Sequence, residues 1–230
     1  MSCASEQVLS NPAAFTWHKP CWISPVITKA MYTRAGFCVG WLLAVAVGFT
    51  FIMRYESAQG ASGKAPGEWP QESKIVRQQN RPSLIMFAHP KCPCTRASVE
   101  ELNRLLAQTS QVVSPQVWFF KPLVSTTDWM QTELSQMAAS IPGVEVHEDI
   151  EGVEGRRFGA QTSGYVLLYD KDGRLVFQGG ITGGRGHIGN NEAEQALLSI
   201  LDKGGASMTQ WPVYGCSVIT PCEQVNETGK

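Results

Sequence analysis

The longest apolar stretch of the chain lies close to its N-terminus. Residues 35–53 form nineteen consecutive positions without a charged side chain, bracketed by Arg34 and Arg54. A helix of this length crosses the hydrocarbon core of a bilayer. Three basic residues and one acidic residue precede the stretch, so the positive-inside rule predicts a single-pass signal-anchor with residues 1–34 in the cytoplasm and everything after Arg54 on the other side.

Two alternatives concern the ends of this anchor. The small residues 57–60 form a weak cleavage site, so a cleaved signal peptide competes with the uncleaved anchor. The segment that starts at Met31 and ends at Arg34 makes a normal short N-terminal region for an anchor, whereas residues 1–30 carry no periodic pattern. We therefore hypothesise that translation begins at Met31, which would leave the preceding residues untranslated.

Beyond the anchor the pattern changes from a polar segment to an alternation of strands and helices. Residues 54–80 are polar and rich in Gly, Pro and Gln, which predicts a linker. The following residues, 81–204, predict one α/β domain in the order β-α-β-α-β-β-α. Its predicted strands are 84–88, 112–120, 165–170 and 174–178, and its predicted helices follow Cys94 and cover 128–140 and 191–203. A Cys-containing tail, 205–230, ends the chain.

Composition narrows the classes of function. The chain has 230 residues, 17% of them charged, with a net charge of -1. This length accommodates one domain with attachments. The near-neutral balance offers no basic face to phosphates, so a nucleic-acid partner is not expected.

Two cysteines lie where the first strand turns into its helix. Cys92-Pro93-Cys94 follows the apolar strand, and Pro93 suits the first position of a helix, which places Cys92 near the N-cap. The helix dipole and free backbone N–H groups stabilise an anion there, and Lys91 and Arg96 add positive charge. We therefore expect one thiol of lowered pKa, a nucleophile near neutral pH. A disulfide across so short a loop should be strained and easily reduced.

These residues resemble a known group of proteins. The segments HPKCPCTRAS, TSGYVLLYD, GGITGGRGH and VYGC, within about residues 69–217, are similar to RedB-like bacterial proteins of thioredoxin fold, related to the membrane-anchored TlpA-type thiol–disulfide oxidoreductases. The resemblance implies a thioredoxin-like three-layer sandwich on one N-terminal transmembrane helix. It also implies a bacterial cytoplasmic membrane and a periplasmic domain.

The sequence departs from thioredoxin at two positions. Only Pro93 separates the cysteines, where thioredoxin has two residues. If Pro93-Cys94 is aligned with the Pro-Cys of thioredoxin, Lys91 takes the attacking position, so which thiol attacks stays open. Gly164 stands where that fold carries a cis-proline, which normally faces the dithiol and keeps metals away. A glycine there is expected to open space for a bulkier substrate or for a metal.

The leading hypothesis is thiol–disulfide exchange without a cofactor. Cys92 attacks and Cys94 resolves, with protein thiols or disulfides on the same side of the membrane as partners and a transmembrane electron donor if the protein is a reductase. The runner-up is a copper(I) metallochaperone, since two thiolates suit this soft ion and His89 and His187 lie in positions to approach them. A peroxidase and a non-catalytic binding module of the same fold are weaker alternatives.

The tail carries a second pair of cysteines. Cys216 and Cys222 predict either a structural disulfide in an oxidising compartment or a relay that reduces or re-oxidises the first pair. Cys3, Cys21 and Cys38 lie before or within the anchor and are expected to be free thiols.

Overall fold

A computed structural model describes residues 25–61, 63–109, 112–125, 128–203 and 209–218. The chain divides into two units, Met1–Thr50 and Phe51–Lys230. Helix α1, Pro25–Glu56, begins in the first unit and ends in the second. Within its segment Met31–Glu56, an 18-residue stretch has a mean hydropathy of 2.1 and no buried part, so the helix is long and apolar enough to cross a membrane.

The second unit alternates strands and helices. After α1 the order is β1 Ser83–Ala88, α2 Thr95–Thr109, β2 Ser114–Lys121, α3 Glu133–Ala139, β3 Glu145–Ile150, α4 Val153–Arg157, β4 Tyr165–Tyr169, β5 Leu175–Gly179, α5 Glu192–Lys203 and β6 Thr209–Gln210. The six strands form one sheet in the order β3-β2-β1-β4-β5-β6. Strands β1, β2 and β3 run parallel, while β4 is antiparallel to both of its neighbours.

Strand β1 lies at the centre of the sheet and is buried on both faces. Leu84 and Met86 belong to one core cluster, with apolar side chains of α2, α3 and α5. Ile85 and Phe87 belong to the other, with Phe158 of the segment that follows α4. Because successive side chains of a strand alternate between faces, the continuous apolar run of β1 supplies both cores. Its C-terminal end leads into the cysteine turn.

The predicted linker packs against the domain. Ala65 N–H donates to Gln178 Oε1 at 3.0 Å, and Tyr169 Oη donates to the Pro66 carbonyl at 2.9 Å. Trp69 makes edge-to-face contacts with Phe158 and Tyr169 at centroid distances of 5.2 Å. This part of residues 54–80 therefore covers one face of the sheet, and its prediction as a free linker is wrong.

The predicted elements are otherwise found with shifted bounds. Helix α2 begins at Thr95, two residues beyond Pro93, and α3 begins after the N-cap Thr132 instead of at residue 128. Strand β3, helix α4 and strand β6 are additions to the predicted order. Strand β3 escaped prediction because its sequence, EVHEDI, is mostly polar and only Asp149 is buried. Cys3, Cys21 and Cys222 lie outside the described residues.

Candidate active site

The cysteine turn follows β1 directly and is closed by local hydrogen bonds. Cys92 N–H donates to the His89 carbonyl and Thr95 N–H donates to the Cys92 carbonyl, both at 3.1 Å. Arg96 N–H donates to the Pro93 carbonyl at 3.3 Å. Each of these bonds joins an N–H to the carbonyl three residues earlier, so the turn has the tight bonding of a 3₁₀-helix and continues into α2. It buries Cys92, whose exposure is 4%, and leaves Cys94 half-buried.

A third cysteine reaches this turn from the far end of the chain. The sulfur atoms of Cys92, Cys94 and Cys216 all lie within 4.8 Å of one another, and all three are free thiols. Cys216 is exposed. The sequence left two interpretations of Cys216, a structural disulfide with Cys222 or a relay to the Cys92/Cys94 pair. The structure places Cys216 beside that pair. Residue 222 lies outside the described part of the chain.

The Cys92 thiol is set up to lose its proton. Burial raises the pKa of Cys92, whereas hydrogen bonds from the side chains and backbone of Thr95 and Cys216 lower it. Together the hydrogen bonds outweigh burial, so the pKa of Cys92 lies below the usual 9.0. A thiolate with a lowered pKa is a nucleophile near neutral pH. The causes differ from those predicted, since Lys91 and Arg96 are not among them.

The Cys216 thiol is shifted in the opposite direction. Partial burial, the hydrogen bond to Cys92 and the negative charges of Cys92 and Cys94 raise the pKa of Cys216 to about 12, although Arg185 lowers it. Cys216 therefore keeps its proton when Cys92 is ionised, and its S–H donates a hydrogen bond to the Cys92 thiolate. The two sulfurs divide the roles of nucleophile and hydrogen-bond donor.

A chain of hydrogen bonds lies behind the nucleophile. His89 N–H donates to Ser163 Oγ at 2.8 Å, and Ser163 Oγ lies 2.5 Å from Thr95 Oγ1. Because the Thr95 hydroxyl uses its proton in the hydrogen bond to Cys92, Ser163 Oγ is the donor to Thr95 Oγ1, while it accepts from the His89 backbone N–H. Each bond polarises the next and stabilises the thiolate at the end.

An aromatic cluster holds the other side of the turn. His89 is buried and stacks on Phe120 at 5.7 Å, with Trp129 edge-on at 5.9 Å. Burial and then the charge of Lys91 lower the pKa of His89, so its ring is neutral, and Nδ1 accepts the Lys91 N–H at 3.2 Å. The Lys91 ammonium lies 3.9 Å from the centroid of the Trp129 ring. The side chain thus contacts an aromatic face on the rim of the site.

Gly164 occupies the position before β4 but leaves no open space. Its N–H donates to the Phe87 carbonyl at 2.8 Å and its φ is +89°. A Cβ at this position would lie 2.6 Å from Ser98 Oγ on α2. The prediction that glycine opens room for a bulky substrate or a metal is wrong here, because α2 packs directly on the backbone.

The predicted metal ligands do not all come together. Within the described part of the chain, the residues with mutually close ligand atoms are the three cysteines, without His89 or His187. His187 is exposed, and its Nδ1 lies 3.2 Å from the Arg185 carbonyl. Sulfur atoms are therefore the donors that the site offers to a soft ion.

Sequence reasoning missed the two hydroxyl residues and Gly215. Thr95 follows Cys94 directly, so its place on the first turn of α2 was a local signal for a donor to the thiolate. Ser163 precedes Gly164 and carries no such signal, because only the packing of β4 beside β1 brings it to Thr95. A Cβ on Gly215 would lie 2.2 Å from the Ser163 carbonyl oxygen, which explains the glycine before Cys216.

Comparisons with known proteins bear on the fold. No protein-family model and no curated protein matches this chain. Among solved structures, an uncharacterized conserved protein from Geobacillus kaustophilus is similar, with a TM-score of 0.53 and 18% identity over 74% of this chain and 97% of that one. A secreted disulfide oxidoreductase from Mycobacterium tuberculosis has a TM-score of 0.39 and 16% identity over 54% of this chain and 83% of its own. A putative thiol:disulfide interchange protein from Chlorobium tepidum has a TM-score of 0.38 and 20% identity over 63% and 99%.

The structure contains the main parts of the α/β domain predicted from the sequence. These are the central parallel strands, the cysteine turn after β1 and the β4–β5 hairpin. The chain has the α/β fold of thioredoxin-like proteins, preceded by one N-terminal helix long enough to span a membrane.

Proposed function

We propose that this protein is a membrane-tethered, extracytoplasmic thiol–disulfide oxidoreductase in which Cys92 is the attacking thiol. The observation that carries the proposal is the buried Cys92, whose pKa is lowered and whose sulfur lies within 4.8 Å of two further thiols. A nucleophile with a second thiol in reach is what disulfide exchange requires. The resemblance to RedB-like and TlpA-type proteins agrees with this proposal.

The reaction proceeds in two exchanges. The Cys92 thiolate attacks one sulfur of a partner disulfide, and the other partner sulfur leaves as a thiolate and takes up a proton. A second thiol of the site, Cys94, then loses its proton and attacks Cys92, which releases the partner's second sulfur. The partner gains two electrons and two protons, and the protein retains a Cys92–Cys94 disulfide. The reverse sequence oxidises a partner dithiol.

The test is equilibration of the full-length protein in detergent with reduced and oxidised glutathione. Wild type should exchange two thiols for one internal disulfide, whereas Cys92→Ser should fall to the uncatalysed rate. The double variant Cys94→Ser/Cys216→Ser, which leaves Cys92 without a second thiol in the site, should accumulate mixed disulfides in the attack step. Cys38→Ser changes a cysteine of α1 outside the cluster and should exchange as wild type does. A Cys92→Ser protein that exchanges at the wild-type rate would contradict the proposal.

The membrane location has its own test. Because the basic residues precede the apolar stretch, the domain is expected outside the cytoplasm, where its partners are protein thiols or disulfides and, for a reductase, a transmembrane electron donor. With the native cysteines replaced by Ser, a cysteine introduced by Val124→Cys at this exposed position should react with a membrane-impermeant maleimide when the outer envelope is permeabilised and the inner membrane is intact. Labelling that appears only after the inner membrane is lysed would place the domain in the cytoplasm.

Copper(I) binding is the second candidate, favoured by the three sulfurs within 4.8 Å. Soft thiolates select this ion. Competition with a chromophoric Cu(I) chelator should then show one ion per reduced chain, lost in Cys92→Ser and weakened in Cys216→Ser. His187→Ala tests the ligand set inferred from sequence, and the geometry leads us to expect no change. Failure to compete with the chelator would leave disulfide exchange alone.

A further inference from the structure

The tail that carries Cys216 is fixed to the loop before β4. Ser163 N–H donates to the Cys216 carbonyl at 2.8 Å, and Val218 N–H donates to the Gln161 carbonyl at 2.9 Å. These two bonds flank the bridge between Thr162 and Ser217, so the tail runs antiparallel to this loop. The position of Cys216 is therefore set by backbone pairing on both sides of it.

Gly215 allows the tail to approach closely. A Cβ there would lie 2.2 Å from the Ser163 carbonyl oxygen and 3.2 Å from Thr162 Cγ2. Any other residue must push the tail away from the loop, and Cys216 moves with it. The close approach brings the Cys216 sulfur within 4.8 Å of the Cys92 and Cys94 sulfurs.

Cys92 and Cys216 border different cavities. Cys92 lines a groove of about 370 Å³ together with Lys91, Arg96 and Thr132. Cys216 is exposed and lines a separate cavity of about 410 Å³, with Gly60 among the residues on its wall. A partner that approaches from the second side meets the exposed Cys216 sulfur, whereas Cys92 is buried and does not line this cavity.

We propose that Cys216 is a third redox thiol. It replaces Cys94 as the disulfide partner of Cys92, and the disulfide is then accessible to a second protein partner at the cavity that Cys216 lines. The inference rests on the proposed function. The Cys216 thiol gives its proton to solvent water, and its thiolate attacks the Cys92 sulfur of the Cys92–Cys94 disulfide. The Cys92–Cys216 bond forms, the Cys92–Cys94 bond breaks, and Cys94 leaves as a thiolate that takes up a proton. No net oxidation occurs, since one disulfide replaces another.

Geometry favours the longer link. A Cys92–Cys94 bond must close inside a turn whose backbone is fixed by the Pro93 ring and by the hydrogen bond from Thr95 N–H to the Cys92 carbonyl. A bond from Cys92 to Cys216 joins two separate segments and leaves that turn intact. The exposed Cys216 sulfur can then be attacked by the thiol of a second protein partner, which returns the site to its reduced form over two such exchanges.

The experiment uses the full-length chain in detergent with Cys3, Cys21, Cys38 and Cys222 replaced by Ser. This background, its Cys94→Ser variant and its Cys216→Ser variant are equilibrated with glutathione redox buffers, acid-quenched and mapped by mass spectrometry. The background should contain a peptide with Cys92 linked to Cys216. Cys94→Ser should close this bond with an equilibrium constant at least about tenfold above that of the Cys216→Ser ring, or about 30 mV.

Two further variants separate position from chemistry. Gly215→Val displaces the tail but removes no thiol, so in Cys94→Ser it should reduce closure of the Cys92–Cys216 bond about tenfold or more. Ser217→Ala, on the other side of Cys216, should leave closure unchanged. A Cys94→Ser protein that stops at a glutathione adduct on Cys92, while Cys216→Ser exchanges normally, overturns the inference and leaves the proposed function standing. If no variant exchanges with glutathione, both fall.

Discussion

The cysteine turn and the Cys216 tail are held in place by different means. Local hydrogen bonds hold the turn, since Cys92 bonds to His89 three residues before it and to Thr95 three residues after it. In the described part of the tail, residues 209–218, the backbone bonds beside Cys216 reach instead to Ser163 and Gln161, more than fifty residues away in sequence. The turn is thus built by neighbouring residues, whereas the tail depends on the completed fold.

The Cys92 thiolate depends on both the cysteine turn and the Cys216 tail. Thr95 belongs to the turn and Cys216 to the tail, yet both donate hydrogen bonds to Cys92 and lower its pKa. A folded turn without the tail would keep one donor and lose the other. The reactivity of Cys92 therefore reports on long-range folding as well as on local sequence, and the following changes test that division.

The largest effect is expected at Gly164, on the loop that joins the two regions. Gly164→Ala combines a φ of +89° with a Cβ only 2.6 Å from Ser98 Oγ. We expect a loss of about 3 kcal/mol in the free energy of unfolding, from backbone strain and overpacking together. Denaturant unfolding of the full-length protein in detergent, followed by tryptophan fluorescence, measures it.

The matched control is Gly143→Ala. Gly143 has a similar φ of +82° but no atom within 4 Å of an added Cβ, so this variant carries the backbone strain alone, about 1 kcal/mol. Equal losses at the two glycines would mean that α2 yields to the new methyl group, and the tight packing of Gly164 would then have no energetic weight.

The fold was largely predictable because its central elements have local signatures. The apolar run of β1, the amphipathic α2 and the Asp-Gly hairpin each show their period within a few residues. The elements that the sequence failed to predict lack such local signatures. The polar edge strand β3 has little apolar pattern, and residues 63–69 are rich in small and polar types although they pack along the sheet. Their structure depends on partners such as Gln178 and Gly173, which lie far away in sequence.

The residues of the site also fall into those that local sequence predicts and those that only the completed fold brings together. Cys92 and Cys94 were found from their spacing and from their place after β1. That Cys216 lies near Cys92 and Cys94 was one of two interpretations of the tail. No local signal could decide between them, because the lack of a side chain at Gly215 matters only in the folded protein, where the Ser163 carbonyl lies against it. Lys91 was assigned to the thiolate on sequence proximity, but its ammonium contacts the Trp129 ring. Short spacing along a chain does not fix the direction of a long side chain.

The second effect compares the two donors to the thiolate. Thr95→Val removes the local hydroxyl and Cys216→Ser replaces the distant thiol by another donor. A hydrogen bond to a charged group contributes about 1.5–3 kcal/mol, so Thr95→Val should slow alkylation of Cys92 by iodoacetamide at neutral pH about tenfold. Cys216→Ser should slow it less, because a hydroxyl can still donate. Peptide mapping at several pH values measures the rate at Cys92 alone.

An opposite ranking would place the main stabilisation of the thiolate in the tail. Ser98→Ala, one turn further along α2, serves as the control for a lost hydroxyl on the same helix. If Thr95→Val and Ser98→Ala alkylate at the same rate as wild type, the local donor contributes nothing and the proposed origin of the lowered Cys92 pKa is wrong.

A smaller effect is expected at Ser163, which links the turn to the tail. Its hydroxyl accepts from His89 N–H and lies 2.5 Å from Thr95 Oγ1, while its backbone N–H bonds to Cys216. Ser163→Ala keeps the backbone bond but breaks the hydroxyl chain. Alkylation of Cys92 should slow about threefold, near the lower end of what one neutral hydrogen bond contributes. Ser217→Ala is the control, and an unchanged rate in Ser163→Ala would show that Thr95 needs no support.

The smallest effect is a pH dependence that distinguishes the two thiols. The pKa of Cys216 is raised from 9.0 to about 12 in the folded protein, so between these values the folded state binds a proton that the unfolded state releases. The free energy of unfolding of the reduced protein must therefore fall as pH rises through this range. For Cys92, whose folded pKa is lowered, the sign is reversed and stability is gained as pH rises toward 9. Since Cys216 is exposed, solvent screening keeps its contribution small.

Tyrosines titrate over the same alkaline range, so the comparison must be made between two proteins. Burial raises the pKa of Tyr165 to about 12 and also raises that of Tyr169, and both lower stability at high pH in wild type and in Cys216→Ser alike. The difference between the two unfolding free energies, measured under reducing conditions at pH values of about 9 and 11, isolates Cys216. Wild type should lose more stability than Cys216→Ser over this interval. Parallel curves would mean that the Cys216 proton is not held by the Cys92 thiolate, and the division of roles between turn and tail would be lost.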